Sequence, residues 1–240
     1  KAAFYTAIED DCIRKNPFNL ALDTVIEDDR ERKAALTPKQ EENLLAFMEQ
    51  DAVYKKYRDE VIILLGTGLR ISEFCGLTTA LDFKNRQINV DHQLLRDADI
   101  GYYIETPKTK NGIRQIPMNE EVYQALKRVL KNRGNAAPFS VEGYKNFLFL
   151  KNDGMPKVSA NYDSMLKGLV KKYNKQNKEQ LPNITPHILR HTFCTRLANA
   201  GMNPKALQYI MGHANITMTL NYYAHATYDS AKAEMERLAA

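Results

Sequence analysis

Apolar residues recur at spacings of three and four along most of this 240-residue chain, and strand-like alternation replaces that pattern chiefly between residues 87 and 118. The order of these patterns constrains the fold more than any bulk property. Helices are expected over 38–49 and 54–66, from Ile71-Ser72-Glu73, over 119–130, 159–173, 186–200, 204–212, 216–224 and 227–239. Thr37-Pro38-Lys39-Gln40 marks a helix start, with Thr37 as cap, Pro38 where no amide donor is needed, and Gln40 placed to close a capping box. Strands are expected over 87–95 and 102–106, and Asn111-Gly112 in PKTKNGIRQIPM is a two-residue hairpin signal between residues that can pair. A further short strand is expected over Asn146 to Leu150, before Asp153-Gly154 turns the chain. The fold class is mainly α with a small antiparallel β-sheet.

Residues 1–17 have helical spacing at Phe4, Ile8 and Cys12 or Ile13 until Asn16-Pro17 stops it, and a helix so isolated is expected to be the tail of a preceding domain. Residues 18–36 are charge-rich without a sustained apolar face, which reads as a linker; residues 37–226 form the main domain and 227–240 a separate C-terminal helix. With 44% hydrophobic residues the chain can bury a full core unaided. Cys12, Cys75 and Cys194 form no CxxC pair, so neither a disulfide framework nor a zinc site is indicated, and a reducing, cytoplasmic setting is expected. No apolar run approaches the roughly 20 residues needed to span a bilayer, so no membrane partner is expected. A net charge of +5 permits a polyanionic partner without demanding one.

Several short segments can carry chemistry. In ITPHILRHTF, Thr185 caps and Pro186 begins a helix, so His187 lies in the first turn with Arg190 three residues on, both aimed where a helix end favours an anion. Arg70 in GTGLRISE follows two glycines that break a buried-looking helix, and Glu73 one turn later is placed to orient it or to be a surface glutamate. Lys108 and Lys110 sit on the expected hairpin arm and Arg114 on the return strand. His213 follows Gly212, and a helical stretch then ends at Tyr222-Tyr223. Each has a plain reading taken singly: a capped surface helix, an ion-paired arginine, a lysine-blunted sheet edge, a packing tyrosine.

Taken in order, GLRISE, PKTKNGIRQIP, HILRHTF, MGH and a tyrosine ten residues after His213 resemble the tyrosine recombinase (phage-type integrase) family over about residues 38–225, and look most like integrases of conjugative transposons and temperate phages. The resemblance implies that Arg70 and Arg190 hold a scissile phosphate, Lys108 protonates the leaving 5′ oxygen, His187 accepts the tyrosine proton or orders the site, His213 bonds a nonbridging oxygen, and Tyr223 is the nucleophile that forms a 3′-phosphotyrosyl link. Lys108 and Lys110, two residues apart on one expected strand, are not separated by alternation. His191 reads as structural beside the site. The family further implies double-stranded DNA as partner, a homo-oligomer on DNA in a tetrameric synapse, accessory DNA-bending or excision factors, a nucleoid-associated enzyme without cofactor or metal, and residues 1–17 as the tail of a core-binding domain. Tyr228, Ala231, Met235 and Leu238 then form an apolar stripe either packed at home or donated to a neighbouring protomer. A type IB topoisomerase-like nicking-closing enzyme and a catalytically silent DNA-binding relative are the alternatives.

Overall fold

The computed structural model describes residues 35–107 and 110–223, together with Phe4, Thr6, Ile8, Cys12, Ile13, Met235 and Glu236. The chain divides into two compact units, residues 1–33 and 34–240. In the first, Phe4, Thr6 and Ile8 are helical.

The second unit opens on helix α1 (Pro38–Gln50), which begins where the local chemistry requires. Thr37 Oγ1 accepts the Gln40 N–H and Gln40 Oε1 accepts the Thr37 N–H, a reciprocal capping box ahead of Pro38. A 3-10 turn (Lys55–Tyr57) leads into α2 (Arg58–Thr67), whose residues from Glu60 to Leu65 are all buried, so it forms the centre of the core rather than a surface layer. Gly68 ends α2 in the left-handed region, at φ 63°. A Cβ there would stand 2.4 Å from Phe193, so glycine is required twice over. Helix α3 (Ile71–Gly76) follows after Arg70.

The strands β1 (Gln87–Val90), β2 (Gln93–Asp97), β3 (Gly101–Glu105) and β4 (Arg114–Pro117) form two antiparallel pairs, β1 with β4 and β2 with β3. Ile88 lies opposite Ile116 and Leu94 opposite Ile104. A third small pair joins β5 (Ser140–Val141) to β6 (Tyr144–Lys145). This corrects the expected hairpin about Asn111-Gly112. The run expected over 87–95 breaks at Asp91-His92, where the His92 ring turns inward, with Nε2 2.8 Å from the Gly76 carbonyl and Nδ1 against Asp91. Two short strands therefore diverge, each with its own partner, and the chain between β3 and β4 crosses from one pair to the other through a 3-10 turn (Lys110–Gly112). Lys110 is accordingly not a strand residue, and Lys108 lies outside the described residues. The strand expected over 146–150 reduces to single bridges, Thr78 with Phe147 and Leu150 with Pro156.

The remaining helices close the core. α4 (Glu120–Asn132), capped by Asn119, buries Val122, Ala125 and Leu126 against α2, where Gly66 makes room for Val122. α5 (Ser159–Gln176) buries Tyr162, Met165, Leu166, Leu169, Val170 and Tyr173 at helical spacing. Tyr162 packs edge-on against Phe74, which stacks on Phe149 with ring centres 4.0 Å apart. α6 (Pro186–Asn199) is buried on several sides and packs on α2. α7 (Pro204–Met211) ends at Gly212, again left-handed at φ 60°. α8 (Thr217–Leu220) is shorter than the 216–224 expected because Tyr222 and Tyr223 close tighter i→i+3 bonds to Thr219 and Leu220. The helix expected over 227–239 lies outside the described residues except for helical Met235 and Glu236, both exposed. Among the described residues, no helix is long and apolar enough to cross a membrane.

Candidate active site

The end of α7 organises the charged residues. A helix leaves its last carbonyls without intrahelical partners and carries partial negative charge there. Three consecutive carbonyls at this end each accept a bond from a different arginine: Ile210 from Arg114 Nε at 2.6 Å, Met211 from Arg190 Nη2 at 2.5 Å, and Gly212 from Arg70 Nη2 at 3.0 Å. Arg190 also donates to the Gly68 carbonyl at 2.5 Å, at the end of α2. Two helix ends thus hold guanidiniums beside one another that would otherwise repel.

Among the described residues Glu73 is the one buried carboxylate hydrogen-bonded to this group, and it ties two of the arginines together. Its Oε1 accepts from Arg70 Nη1 at 2.8 Å and Arg114 Nη1 at 2.9 Å, while Oε2 accepts the Arg70 backbone N–H and Arg114 Nη2, both at 2.8 Å. Burial pushes the Glu73 carboxyl upward, but the bonds and charge of Arg114, then the charge of Arg70, outweigh it and hold the group below its ordinary value. Three cations face one anion, so the cluster stays net positive. Burial, followed by the charges of Arg70 and Arg114, lowers Arg190 to about 10, which leaves it charged at neutral pH. Arg70 is the outward member, with 40% of its side chain exposed, whereas the Arg114 side chain is fully enclosed.

His213 follows at the same helix end. Its ring is buried, with Nδ1 2.9 Å from Thr219 Oγ1, and its carbonyl accepts from Gln208 Nε2 and Asn111 Nδ2. Burial, then Arg190, Arg70 and Arg114, push it down to about 4, so the ring is neutral at physiological pH. The unfolded chain takes up this proton near 6.5 and the folded chain only near 4, so the unfolded state binds more protons between those values. This contribution to stability is therefore complete above 6.5 and declines as the pH falls towards 4. Thermal melts should show the parent losing Tm more steeply across that window than His213→Asn; equal slopes would count against a buried neutral ring.

The structure brings together Arg70, Arg190 and His213. His187 sits exposed in the first turn of α6, behind the Thr185 cap and three residues before Arg190. His191 is lowered by burial and by His187, and its ring lies 5.0 Å from that of Tyr222, in keeping with a packing role. Tyr223 is not brought to the cations: its hydroxyl donates to the Met202 carbonyl at 2.5 Å, and burial raises its pKa. Tyr222 is also raised by burial, yet it is the one of the two on which the charge of Arg190 acts. Lys108 falls outside the described residues, so the lysine position stays an expectation.

Motif spacing gives Arg114, noted only as a residue of the return strand, no role in the site, and it does not point to Thr219. The signal for Arg114 was strand alternation: Arg114 and Ile116 face inward on β4 while Gln115 and Pro117 face out, which places a guanidinium among apolar residues, where it requires an anionic partner. Among the described residues no three His, Cys, Asp or Glu side chains gather as a metal-binding group; what converges is cationic and suits an anion.

Residues 34–230 match the Phage integrase family. The chain is 66% identical over 239 residues to the transposase from transposon Tn916 of Enterococcus faecalis, covering 99% of this chain and 59% of that protein. It is 31% identical over 202 residues to tyrosine recombinase XerA of Pyrococcus horikoshii, covering 81% and 62% respectively. The chain thus spans about three fifths of the length of these relatives. The structure of the Tn1549 transposon integrase in complex with a circular intermediate DNA superposes with a TM-score of 0.90 at 67% identity, over 99% of this chain and 76% of that one. The crystal structure of XerA recombinase overlaps at 0.60 and 24% identity, over 87% and 66%, a likeness of fold.

Proposed function

Since this chain belongs to the phage integrase family, we propose that it cleaves and rejoins double-stranded DNA as a site-specific recombinase of a mobile element, through a covalent 3′-phosphotyrosyl intermediate. The observation that carries this reading is the set of three arginines gathered on the last carbonyls of α7, with a neutral histidine beside them. In-line attack on a phosphodiester places extra negative charge on the nonbridging oxygens, and preorganised guanidiniums stabilise that charge by paired hydrogen bonds. Arg70 and Arg190 take this role, since each retains N–H groups beyond those bound to carbonyls and Glu73. The tautomer of neutral His213 that suits this role accepts the Thr219 hydroxyl at Nδ1 and carries its proton on Nε2, which donates to a nonbridging oxygen.

Tyr223 is the nucleophile. Its phenol must leave the Met202 carbonyl before it reaches the phosphate, and its proton passes to His187 as the new P–O bond forms. The departing 5′ oxygen takes a proton from Lys108. One phosphodiester is exchanged for another, so the 5′ hydroxyl of a partner strand reverses the step without an external energy source. Residues 37–226 form the catalytic domain, and residues 227–240 a helix received by a neighbouring protomer in a DNA-bound tetramer assisted by DNA-bending or excision factors, in the nucleoid of the cytoplasm.

The test is a duplex nicked just beyond the scissile phosphate, so that the cleaved end diffuses away and the adduct accumulates. Mass spectrometry should map it to Tyr223. An adduct on another residue, or none with DNA demonstrably bound, overturns the reading. Two duplexes joined in one reaction separate recombination from relaxation of supercoils alone.

A further inference from the structure

Arg114 has no place in the chemistry above, yet it is the most enclosed charge in the cluster. Its Nε donates to Ile210, its Nη1 to the Gly112 carbonyl at 3.0 Å, and both terminal nitrogens to Glu73. With its side chain fully buried it cannot reach a phosphate. What it reaches is the carboxylate that grips Arg70, and each oxygen of Glu73 accepts one bond from Arg70 and one from Arg114.

We infer that Arg114 is a positioning residue for strand cleavage: it locks Glu73 so that Arg70 is held in one orientation, and it offsets the carboxylate charge that would otherwise cancel what Arg70 offers the scissile phosphate. A lone Arg70–Glu73 pair would be neutral overall, whereas the Arg70–Glu73–Arg114 set keeps one net positive charge, projected outward by its exposed member. The planar fork matters as much as the charge, because two parallel N–H···O bonds to Glu73 fix the plane of the carboxylate, which an ammonium cannot do. Gly212 is shaped to admit it: a Cβ there would stand 2.9 Å from Arg114 Nη1. This role rests on the strand-exchange reading.

The test is a double-mutant cycle in the full chain, with single-turnover cleavage of the nicked duplex by the parent, Arg114→Lys, Arg70→Lys and the double variant, each confirmed folded by thermal melt and DNA titration. Arg114→Lys should bind DNA within about threefold of the parent and cleave about 100-fold more slowly; in the Arg70→Lys background it should cost less than about threefold more, because both changes act through one group. On a duplex carrying an uncharged methylphosphonate at the scissile position, the Arg114→Lys deficit should shrink at least about tenfold, since less negative charge then needs to be met. Deficits that multiply in the double variant, or are the same on both duplexes, overturn the inference, as a general loss of folded enzyme would produce them. Should Arg114→Lys not fold, Glu73→Gln alters the same contact from its other side and takes its place in the cycle. Absence of any adduct in the parent overturns the strand-exchange reading itself, and this role with it.

Discussion

Replacement of Tyr223 by phenylalanine is expected to lower covalent adduct formation by about 10,000-fold or more while changing DNA affinity by less than about threefold. The substitution deletes one oxygen, the atom proposed to form the bond to phosphorus, and leaves the ring that packs against the core. Its cost to the fold is small, because the hydrogen bond to the Met202 carbonyl is worth about 1 kcal/mol net, a shift of a few degrees in Tm. The competing nucleophile is Tyr222, whose phenol lies within the influence of Arg190. Single-turnover cleavage by Tyr223→Phe and Tyr222→Phe distinguishes them: an adduct that persists in the first and vanishes in the second would transfer the role to Tyr222.

The second large effect is expected at Arg190, and it falls on stability and chemistry together. Removing the side chain in Arg190→Ala leaves the Gly68 and Met211 carbonyls without their donor in a buried setting, a cost of about 2–4 kcal/mol for the pair. It also removes a cation from the proposed phosphate cradle, with an expected further loss of about 100- to 1,000-fold in the cleavage rate of the molecules that remain folded. Arg190→Lys should restore much of the stability but little of the rate, since a point charge on a single nitrogen cannot span two carbonyls and a phosphate together. Denaturant melts and active-site-titrated cleavage rates separate the two effects. A lysine variant that cleaves at the parental rate would show that charge alone suffices and would remove the fork from the mechanism.

What could be read in advance was whatever depends on neighbours in the chain. Thr37-Pro38 and Thr185-Pro186 start their helices as expected, because capping involves residues three apart. Glu73 one turn after Arg70 does grip it, for the same reason. The middle of the chain departs from its local signals where remote partners decide. Asn111-Gly112 has the local chemistry of a hairpin, but β3 and β4 are drawn to different strands once His92 turns in to the carbonyl of Gly76, sixteen residues away. Arg114 was visible as a strand residue, while its anionic partner stands forty-one residues earlier and its carbonyl partner ninety-six later. Motif spacing singled out Arg70, Arg190 and His213; nothing in that spacing announces that a single helix end gathers them, or that Tyr223 would rest on Met202.

Acceptors supplied by the main chain respond to substitution differently from acceptors supplied by side chains. Positions 210 and 211 can exchange one apolar residue for another of similar volume and still present the same oxygens to Arg114 and Arg190, so sequence drift there need not disturb the cationic centre. The vulnerability is displaced to Gly68 and Gly212, whose left-handed torsions aim their own carbonyls at Arg190 and Arg70 and where a side chain would meet neighbouring atoms. Directed evolution of this protein should therefore tolerate apolar exchanges of similar volume along the buried side of α7 and fail at its terminal glycine, a pattern that deep mutational scanning would show as an intolerant column beside more permissive ones.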